Sequence, residues 1–204
     1  MSQDPRQDQF AYFSAMANPY VGLTAFVDVT DVRTWAEDAG RSFFLCCLYA
    51  ISRAANRVPE LRRRIREGQA VEYDWCPSSH TVALDNGAYC YCTLWANEPL
   101  ETFLQKAAAA QEPAKRHPSL EDGDDGESLL FLSCIPWISY AALVQPTPVP
   151  ADSNPRITWG KYELREGRLR MPVTLLAHHA LVDGIHIARF YQALEEELAW
   201  FSTH

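Results

Sequence analysis

Apolar residues recur along this 204-residue chain with two different periods. Alternation of apolar and polar residues predicts β-strands, and a repeat of about 3.6 residues predicts amphipathic α-helices. By these patterns we predict strands at residues 21–29, 70–75, 81–84, 89–94, 129–133, 138–144, 157–164 and 168–177. We predict helices at residues 32–39, 41–56, 100–110 and 185–201, and a short helical turn at residues 60–65.

Two tight turns join neighbouring strands in this pattern. Asp85-Asn86-Gly87 and Glu166-Gly167 each separate two predicted strands, which is typical of β-hairpins. Strands and helices are interleaved but hairpins dominate, so we expect an α+β fold, a two-layer arrangement in which helices cover one side of a mixed β-sheet. The length suits a single domain over residues 1–204.

Composition excludes several classes of function. The net charge of −8 offers no basic surface for nucleic acid and fits poorly with an anionic membrane. No apolar run approaches the roughly 18 residues that span a bilayer, and the polar, acidic N-terminus is unlike a signal peptide. Six cysteines without a C-x-x-C pair are expected to be buried thiols in a reducing compartment. We therefore expect a cytoplasmic protein without nucleic-acid or membrane partners, with an acidic surface loop at residues 119–127.

The strongest candidate for chemistry is the segment Leu176-Ala-His-His-Ala-Leu-Val-Asp-Gly-Ile185. Because neighbouring side chains on a strand point to opposite faces, one of His178 and His179 should enter the core or a subunit contact and the other a different space. An imidazole at a strand end suits proton transfer near neutral pH, although a structural histidine fits the segment equally well. Asp183 can cap the helix that follows, and Gly184 is expected to allow close packing or an unusual backbone angle.

A zinc site is a second interpretation of the same segment. Its ligands would be His178, His179, Asp183 and His186. Zinc requires three or four ligands that converge on one point, whereas strand alternation separates these side chains. We therefore predict no metal site.

Several segments, taken together, resemble the chloramphenicol acetyltransferase family. They are Ser133-Cys-Ile-Pro-Trp-Ile-Ser-Tyr140, Ile157-Thr-Trp-Gly-Lys-Tyr162 and residues 178–190 with their His-His-x-x-x-Asp-Gly motif. The resemblance extends from about residue 6 to about residue 200. Lipoyl-linked acyltransferases share the His-x-x-x-Asp-Gly motif, but they normally carry swinging lipoyl domains on flexible linkers, and this sequence shows neither.

The resemblance implies the CoA-dependent acyltransferase fold and a homotrimer whose active sites lie between subunits. Acetyl-CoA would be a co-substrate rather than a bound cofactor, and it would meet a small hydroxylated acceptor in a channel. The family's general base corresponds to His179, the serine that stabilises the tetrahedral intermediate to Ser133, and the threonine that acts through a bound water to Thr158. The family's structural salt bridge corresponds to Arg6 and Asp183.

Acyl transfer to a hydroxyl group requires a base and a hydrogen-bond donor, which are the roles that the resemblance implies for His179 and Ser133. A hydroxyl group attacks a thioester poorly unless a base removes its proton, and such a base contributes roughly 10²–10⁴-fold to the rate. One donor aimed at the developing oxyanion contributes about 10²–10³-fold. Direct transfer needs no acyl-enzyme, so the cysteines need no catalytic role. Without the resemblance, Ser133 and Thr158 would be interpreted as ordinary residues of a turn and a strand.

The acceptor pocket matches the family less well than the catalytic motifs do. The family's Phe-Tyr pair falls on Tyr12-Phe13, and Gln145 stands where an apolar pocket residue is expected. We predict Tyr12, Phe13 and Gln145 as substrate-binding residues, and acetylation of a hydroxyl group of chloramphenicol as the reaction. Two alternatives remain open: the same chemistry on a different hydroxylated or amine acceptor, and a non-catalytic trimer that binds a hydrophobic ligand or another protein.

Overall fold

The computed structural model describes residues 6–121 and 125–203. The helices are α1 (Gln7–Ser14), α2 (Thr30–Asp38), α3 (Phe43–Asn56), α4 (Leu100–Arg116) and α5 (Gly184–Ala199). The strands are β1 (Tyr20–Asp28), β2 (Arg63–Arg66), β3 (Gln69–Glu72), β4 (Ser78–Ala83), β5 (Tyr89–Leu94), β6 (Leu130–Ile135), β7 (Arg156–Gly160), β8 (Glu163–Arg165) and β9 (Arg168–His178). Short 3₁₀ segments lie at Pro59–Arg62, Gly126–Ser128 and Trp200–Ser202.

A mixed seven-stranded β-sheet forms the centre of the fold. Its strands follow the order β1-β9-β7-β6-β4-β5, and the short β8 pairs with the start of β9. The pairs β4–β6 and β6–β7 are parallel, and the other pairs are antiparallel. Strands β2 and β3 form a separate hairpin. The prediction of an α+β fold with a mixed sheet and a helical layer is confirmed.

The core lies between one face of this sheet and the helices α3 and α5. Val173 and Leu175 of β9 are fully buried and stand two residues apart, as strand alternation requires. Tyr191 of α5 places its hydroxyl group 2.7 Å from the carbonyl oxygen of Val173, which ties the helix to the strand beneath it. The apolar stripe predicted for the last helix is buried here, at Ile187, Phe190, Tyr191, Leu194 and Leu198.

Helix α3 is buried along most of its length, including every residue from position 45 to position 52. It begins where the sequence supplies a cap, because Ser42 Oγ accepts a hydrogen bond from the backbone N–H of Leu45 (3.3 Å). Its apolar, alanine- and cysteine-rich composition suits a helix with neighbours on all sides.

The predicted strand at residues 138–144 is wrong. This segment crosses β7 instead of pairing with the sheet, and Tyr140 Oη donates a hydrogen bond to the carbonyl oxygen of Thr158 (2.7 Å). Gly160 makes the crossing possible, because an added Cβ there would lie only 2.8 Å from the Ile138 carbonyl oxygen and from the Tyr140 ring. A local apolar pattern is overridden here by a tertiary contact.

The predicted strand at residues 157–164 is interrupted at residues 161–162. Trp159 of β7 pairs with Val173, whereas Glu163 of β8 pairs with Arg170, so this strand contains one residue more than its partner. An extra residue of this kind is a β-bulge, and it divides the predicted strand into β7 and β8.

Other boundaries also differ from the prediction. The turn predicted at residues 60–65 ends at Arg62, because the next residues form β2, where the buried Arg64 side chain donates to backbone carbonyl oxygens. Helix α4 continues past residue 110, since Ala114 extends its apolar face. Helix α1 was not predicted, because it buries no residue and so shows no apolar stripe. The acidic loop predicted at residues 119–127 lies partly outside the described residues.

The six cysteines are free thiols, and five of them are buried. Within residues 6–121 and 125–203, no three or more His, Cys, Asp or Glu side chains form a group that could hold a metal ion. Over the same ranges, no helix has both the length and the apolar character needed to cross a membrane.

Candidate active site

Strand β9 ends at His178 and His179 follows it directly, and the surroundings of the two side chains differ. His178 is buried, its Nδ1 accepts a hydrogen bond from the N–H of Ala180 (3.2 Å), and burial lowers its pKa. His179 follows with 28% of its side chain exposed, and its backbone N–H donates to the carbonyl oxygen of Pro19 (2.7 Å). The two side chains therefore occupy different environments, as strand alternation predicts.

The ring of His179 is held on two sides. Phe13 of α1 stacks on it, with ring centroids 3.8 Å apart and the planes inclined by 16°. His179 Nδ1 lies 2.9 Å from the carbonyl oxygen of Val182 and 3.2 Å from Asp183 Oδ1. Because both oxygens accept hydrogen bonds, Nδ1 carries the ring proton and Nε2 keeps its lone pair.

Arg6 ties the start of the described chain to the turn that follows His179. Its guanidinium group forms an ion pair with Asp183, and Nη2 lies 3.2 Å from the His179 carbonyl oxygen and 3.4 Å from that of Ala180. Asp183 is also the N-cap residue of α5, where its backbone N–H donates to His186 Nδ1 (2.9 Å). One ion pair thus fixes the backbone around the histidine.

Gly184 does not have the role expected for it. Its φ lies outside the left-handed region, and an added Cβ would meet no atom within 4 Å. The expectations of close packing and of an unusual backbone angle are therefore wrong within this chain, where Gly184 simply begins α5.

Ser133 and Thr158 belong to a row of hydroxyl groups that crosses the sheet on the face opposite the core. Strand pairing and side-chain contact align the row on five neighbouring strands, at Thr24, Thr174, Thr158, Ser133 and Thr81. The hydroxyl oxygens of Thr24 and Thr174 lie 2.7 Å apart, and those of Thr81 and Ser133 lie 3.5 Å apart. Sequence reasoning found only two members, because the other three are ordinary strand threonines until the register is known.

The segment that follows Trp137 closes over this row. Tyr140 Oη accepts from Thr174 Oγ1 (3.2 Å) and donates to the carbonyl oxygen of Thr158 (2.7 Å). Thr158 is only 3% exposed, and its hydroxyl group donates to Gln145 Oε1 (3.1 Å). Gln145 Nε2 is buried and has no hydrogen-bond partner among the described residues.

A cavity of about 850 Å³ lies at the carboxyl ends of β4, β6 and β7, and Ser133 forms part of its wall. Lys115 and Lys161 also line it, and none of the described lining residues is Asp or Glu. Its aromatic lining consists of Phe43, Phe44, Tyr89, Trp137, Trp159 and Tyr162. Cys134 is a further wall residue, and burial raises its pKa to about 12, so it remains a thiol. The cavity was missed at the sequence level because its lining comes from separate segments.

One chain does not bring His179 to Ser133. Ser133 pairs in register with Thr158, and Thr158 with Thr174. His179 lies five residues beyond Thr174, which corresponds to about 16 Å along an extended strand. The predicted catalytic residues therefore lie in two separate places. His179 lies just beyond the end of β9, and Ser133 and Thr158 lie in the hydroxyl row.

The predicted substrate-binding residues divide in the same way. Phe13 stacks on His179, and the 65% exposed Tyr12 lies beside Phe13 with ring centroids 5.2 Å apart. Gln145 instead lies beside the hydroxyl row, where its Oε1 accepts a hydrogen bond from Thr158.

Comparison with known proteins agrees with these motifs. The family model described as chloramphenicol acetyltransferase matches residues 1–195. Chloramphenicol acetyltransferase 3 of Escherichia coli is 25% identical over 194 residues, which cover 94% of this chain and 91% of that protein. A solved structure of a chloramphenicol acetyltransferase is similar with a TM-score of 0.88 and 30% identity, covering 96% of this chain and 95% of the other.

A more distant structure shares the fold alone. The protein of the cubic core of the pyruvate dehydrogenase multienzyme complex is 18% identical, with a TM-score of 0.70 over 94% of this chain and 86% of its own. By sequence and by fold, the chain described here belongs to the chloramphenicol acetyltransferase family, a family of acyltransferases that use derivatives of coenzyme A as substrates.

Proposed function

We propose that this chain transfers the acetyl group of acetyl-CoA directly to a hydroxyl group of chloramphenicol, with His179 as the general base. The observation that carries the proposal is the 2.9 Å contact between His179 Nδ1 and the Val182 carbonyl oxygen, which assigns the ring proton to Nδ1. Nδ1 donates to the Val182 carbonyl oxygen, so the lone pair stays on Nε2 of a ring that is partly exposed. The relatives named for this activity support the choice of acceptor.

The proposed reaction has two steps. Nε2 of His179 accepts the hydroxyl proton of the acceptor while the acceptor oxygen bonds to the thioester carbon. The carbon–sulfur bond then breaks, the CoA sulfur takes the proton from the imidazolium, and an acetyl ester and CoA are released. The stacked Phe13 and the Val182 contact support this role, because they hold the base in one orientation.

We assign Ser133 to the oxyanion and Thr158 to the stabilisation of the same tetrahedral intermediate through a bound water. The Ser133 hydroxyl is in the cavity wall, where a thioester carbonyl oxygen could accept its hydrogen bond. Because the Thr158 hydroxyl donates to Gln145, we include Gln145 in the acceptor site, and its amide would favour acceptors with further polar groups. Tyr12 and Phe13 would contact the acceptor from the histidine side.

We propose a homotrimer with active sites between subunits, and the separation of His179 from the hydroxyl row supports a site that two copies share. About 16 Å of strand separates His179 from the hydroxyl row within one chain, so a complete site requires the histidine of one copy and the serine of another. Exposed apolar side chains near the histidine, Tyr12 and Ile185, support a subunit contact there. The contact of Arg6 with Asp183 would then stabilise one wall of the shared site.

Acetyl-CoA would occupy the 850 Å³ cavity as a co-substrate. Lys161 suits its phosphates, the aromatic rings suit its adenine, and the Ser133 hydroxyl in the wall would meet its thioester. We propose a cytoplasmic location, because six free thiols are typical of a reducing compartment.

The proposal is tested by thiol release from acetyl-CoA in the presence of chloramphenicol, for the wild type, His179→Ala and His117→Ala. We expect His179→Ala to lower kcat by at least about 100-fold while its melting temperature stays close to that of the wild type. The exposed His117 at the end of α4 provides the matched control. A His179→Ala rate within tenfold of the wild type would reject His179 as the base, and a wild type without thiol release would reject chloramphenicol as the acceptor.

A further inference from the structure

Lysine is scarce in this acidic chain, yet it is concentrated in one cavity. The chain has a net charge of −8 and three lysines, Lys106, Lys115 and Lys161. Two of the three line the 850 Å³ cavity, and no described lining residue is acidic. Lys161 belongs to the segment around Thr158 that carries the family resemblance, whereas Lys115 belongs to none of the motifs considered above.

Helix α4 directs Lys115 to the cavity. Gln111 lies one turn earlier on the same helix face, also lines the cavity, and places its amide nitrogen 3.3 Å from Nε2 of the buried His80 on β4. The Lys115 side chain is 44% exposed, and its ion pair with Glu112 (3.3 Å) is exposed as well. Such a pair is weak in water, so it competes poorly with a doubly charged ligand.

We propose that Lys115 binds a phosphate group of coenzyme A at the mouth of this cavity, together with Lys161. The inference rests on the proposed function and extends it to a residue on a different element. Coenzyme A carries its phosphates at the end opposite its thiol, so a thioester that reaches Ser133 leaves the phosphates toward the exposed lysines. The exposed ring of Trp137 lines the same mouth and offers a surface for the adenine.

The test compares Lys115→Gln with Lys106→Gln. Lys106 lies on the same helix, is exposed and pairs with Glu98 outside the cavity, so it controls for loss of one positive charge on α4. The substrates are acetyl-CoA and S-acetylpantetheine, which has the same thioester and no phosphate. For Lys115→Gln we expect the KM for acetyl-CoA to rise about tenfold at unchanged kcat, because a charge-assisted hydrogen bond is lost. With S-acetylpantetheine, we expect the wild type and both variants to have the same KM.

Two results would overturn the proposal. One is a KM for acetyl-CoA in Lys115→Gln within twofold of that in Lys106→Gln. The other is an equal increase in KM with S-acetylpantetheine, which would show that Lys115 acts through the structure of α4. Calorimetric titration with CoA itself separates this proposal from the proposed reaction. If the wild type binds CoA but acetylates no acceptor, the proposed reaction is rejected. The dissociation constants of the two variants for CoA then still decide the role of Lys115. If the wild type does not bind CoA, both proposals are rejected.

Discussion

The contacts of His179 Nδ1 act mainly on the orientation of the ring. The Val182 carbonyl oxygen accepts from Nδ1 and fixes the tautomer, and Asp183 Oδ1 lies 3.2 Å from the same nitrogen. Arg6 pairs with the same carboxylate and supplies an opposing charge close by. The Arg6–Asp183 pair therefore fixes the turn beside the imidazole, which would help to orient the proposed base.

Replacing Ser133 by alanine tests the proposed oxyanion contact. We expect kcat to fall by about 10²–10³-fold, because one donor to the oxyanion is lost, while the KM for acetyl-CoA changes little. Steady-state kinetics with varied acetyl-CoA provide the measurement, and Ser202→Ala, at the end of the chain's last 3₁₀ segment, is the control. An unchanged kcat would remove Ser133 from this role.

His80 makes stability depend on pH. Burial lowers its pKa from 6.5 to about 4, so below pH 6.5 the unfolded chain binds a proton that the folded chain does not. The free energy of unfolding should therefore fall by about 2 kcal/mol between pH 7 and pH 5 from this residue alone. Burial also lowers the pKa of His178 and of His186, which adds to the effect in the same direction.

Urea denaturation of His80→Gln and of the exposed control His117→Gln at both pH values measures this contribution. We expect His80→Gln to lose part of the pH dependence and His117→Gln to keep that of the wild type. Equal pH dependence in both variants would show that His80 does not carry it.

At the level of single residues, the sequence could nominate candidates for the chemistry, but it could not predict the contacts that those residues make. His179 and Ser133 are recognisable because each lies in a motif with fixed spacing. The contact between Thr158 and Gln145 joins residues 13 positions apart across an irregular segment, and no local pattern encodes it. Lys115 carries no motif either, and its place in the cavity wall appears only when α4 is placed beside the ends of the strands.

Among the elements, the segment after Trp137 shows most clearly where local pattern fails. Residues 138–144 contain apolar residues at strand-like spacing, which predicts a strand. The chain instead crosses β7, because Gly160 leaves room for the Tyr140 ring and Tyr140 finds partners in Thr174 and Thr158. The hairpin at Gly87 was predicted correctly, since its information is local: a tight turn between two alternating segments.

Tyr140→Phe tests the contribution of this crossing. The ring remains, but the carbonyl oxygen of Thr158 loses its donor and the hydroxyl group of Thr174 loses its acceptor. We expect the free energy of unfolding to fall by about 1–3 kcal/mol. Denaturant unfolding provides the measurement, with Tyr12→Phe as the control, because the Tyr12 side chain is largely exposed. Equal stability of the two variants would show that the Tyr140 hydroxyl group does not secure the segment.

For the whole molecule, the order of the strands separates the two halves of the proposed site. Thr158 and Ser133 lie in central strands, whereas His179 follows the end of β9. The segment after Trp137 covers the middle of the hydroxyl row, whereas Ser133 and Thr24 stay partly exposed on the sheet face opposite the core, where a second copy could approach them. A closed ring of three copies with identical contacts would form three equivalent sites, each with the histidine of one copy and the serine of the next.

Mixed trimers distinguish this arrangement from a site within one chain. His179→Ala and Ser133→Ala chains with different affinity tags are co-expressed, and assemblies that carry both tags are purified. Such a trimer contains two chains of one variant and one chain of the other. In either case, one of its three interfaces is intact, because a Ser133→Ala chain supplies His179 there and a His179→Ala chain supplies Ser133. Activity should therefore return to about one third of the wild-type value, while each variant alone stays at about one hundredth of that value or below. A site formed within one chain predicts no recovery, because every chain would lack one of the two groups. Recovery would thus show that the 16 Å between the two groups in one chain is bridged by a neighbouring copy.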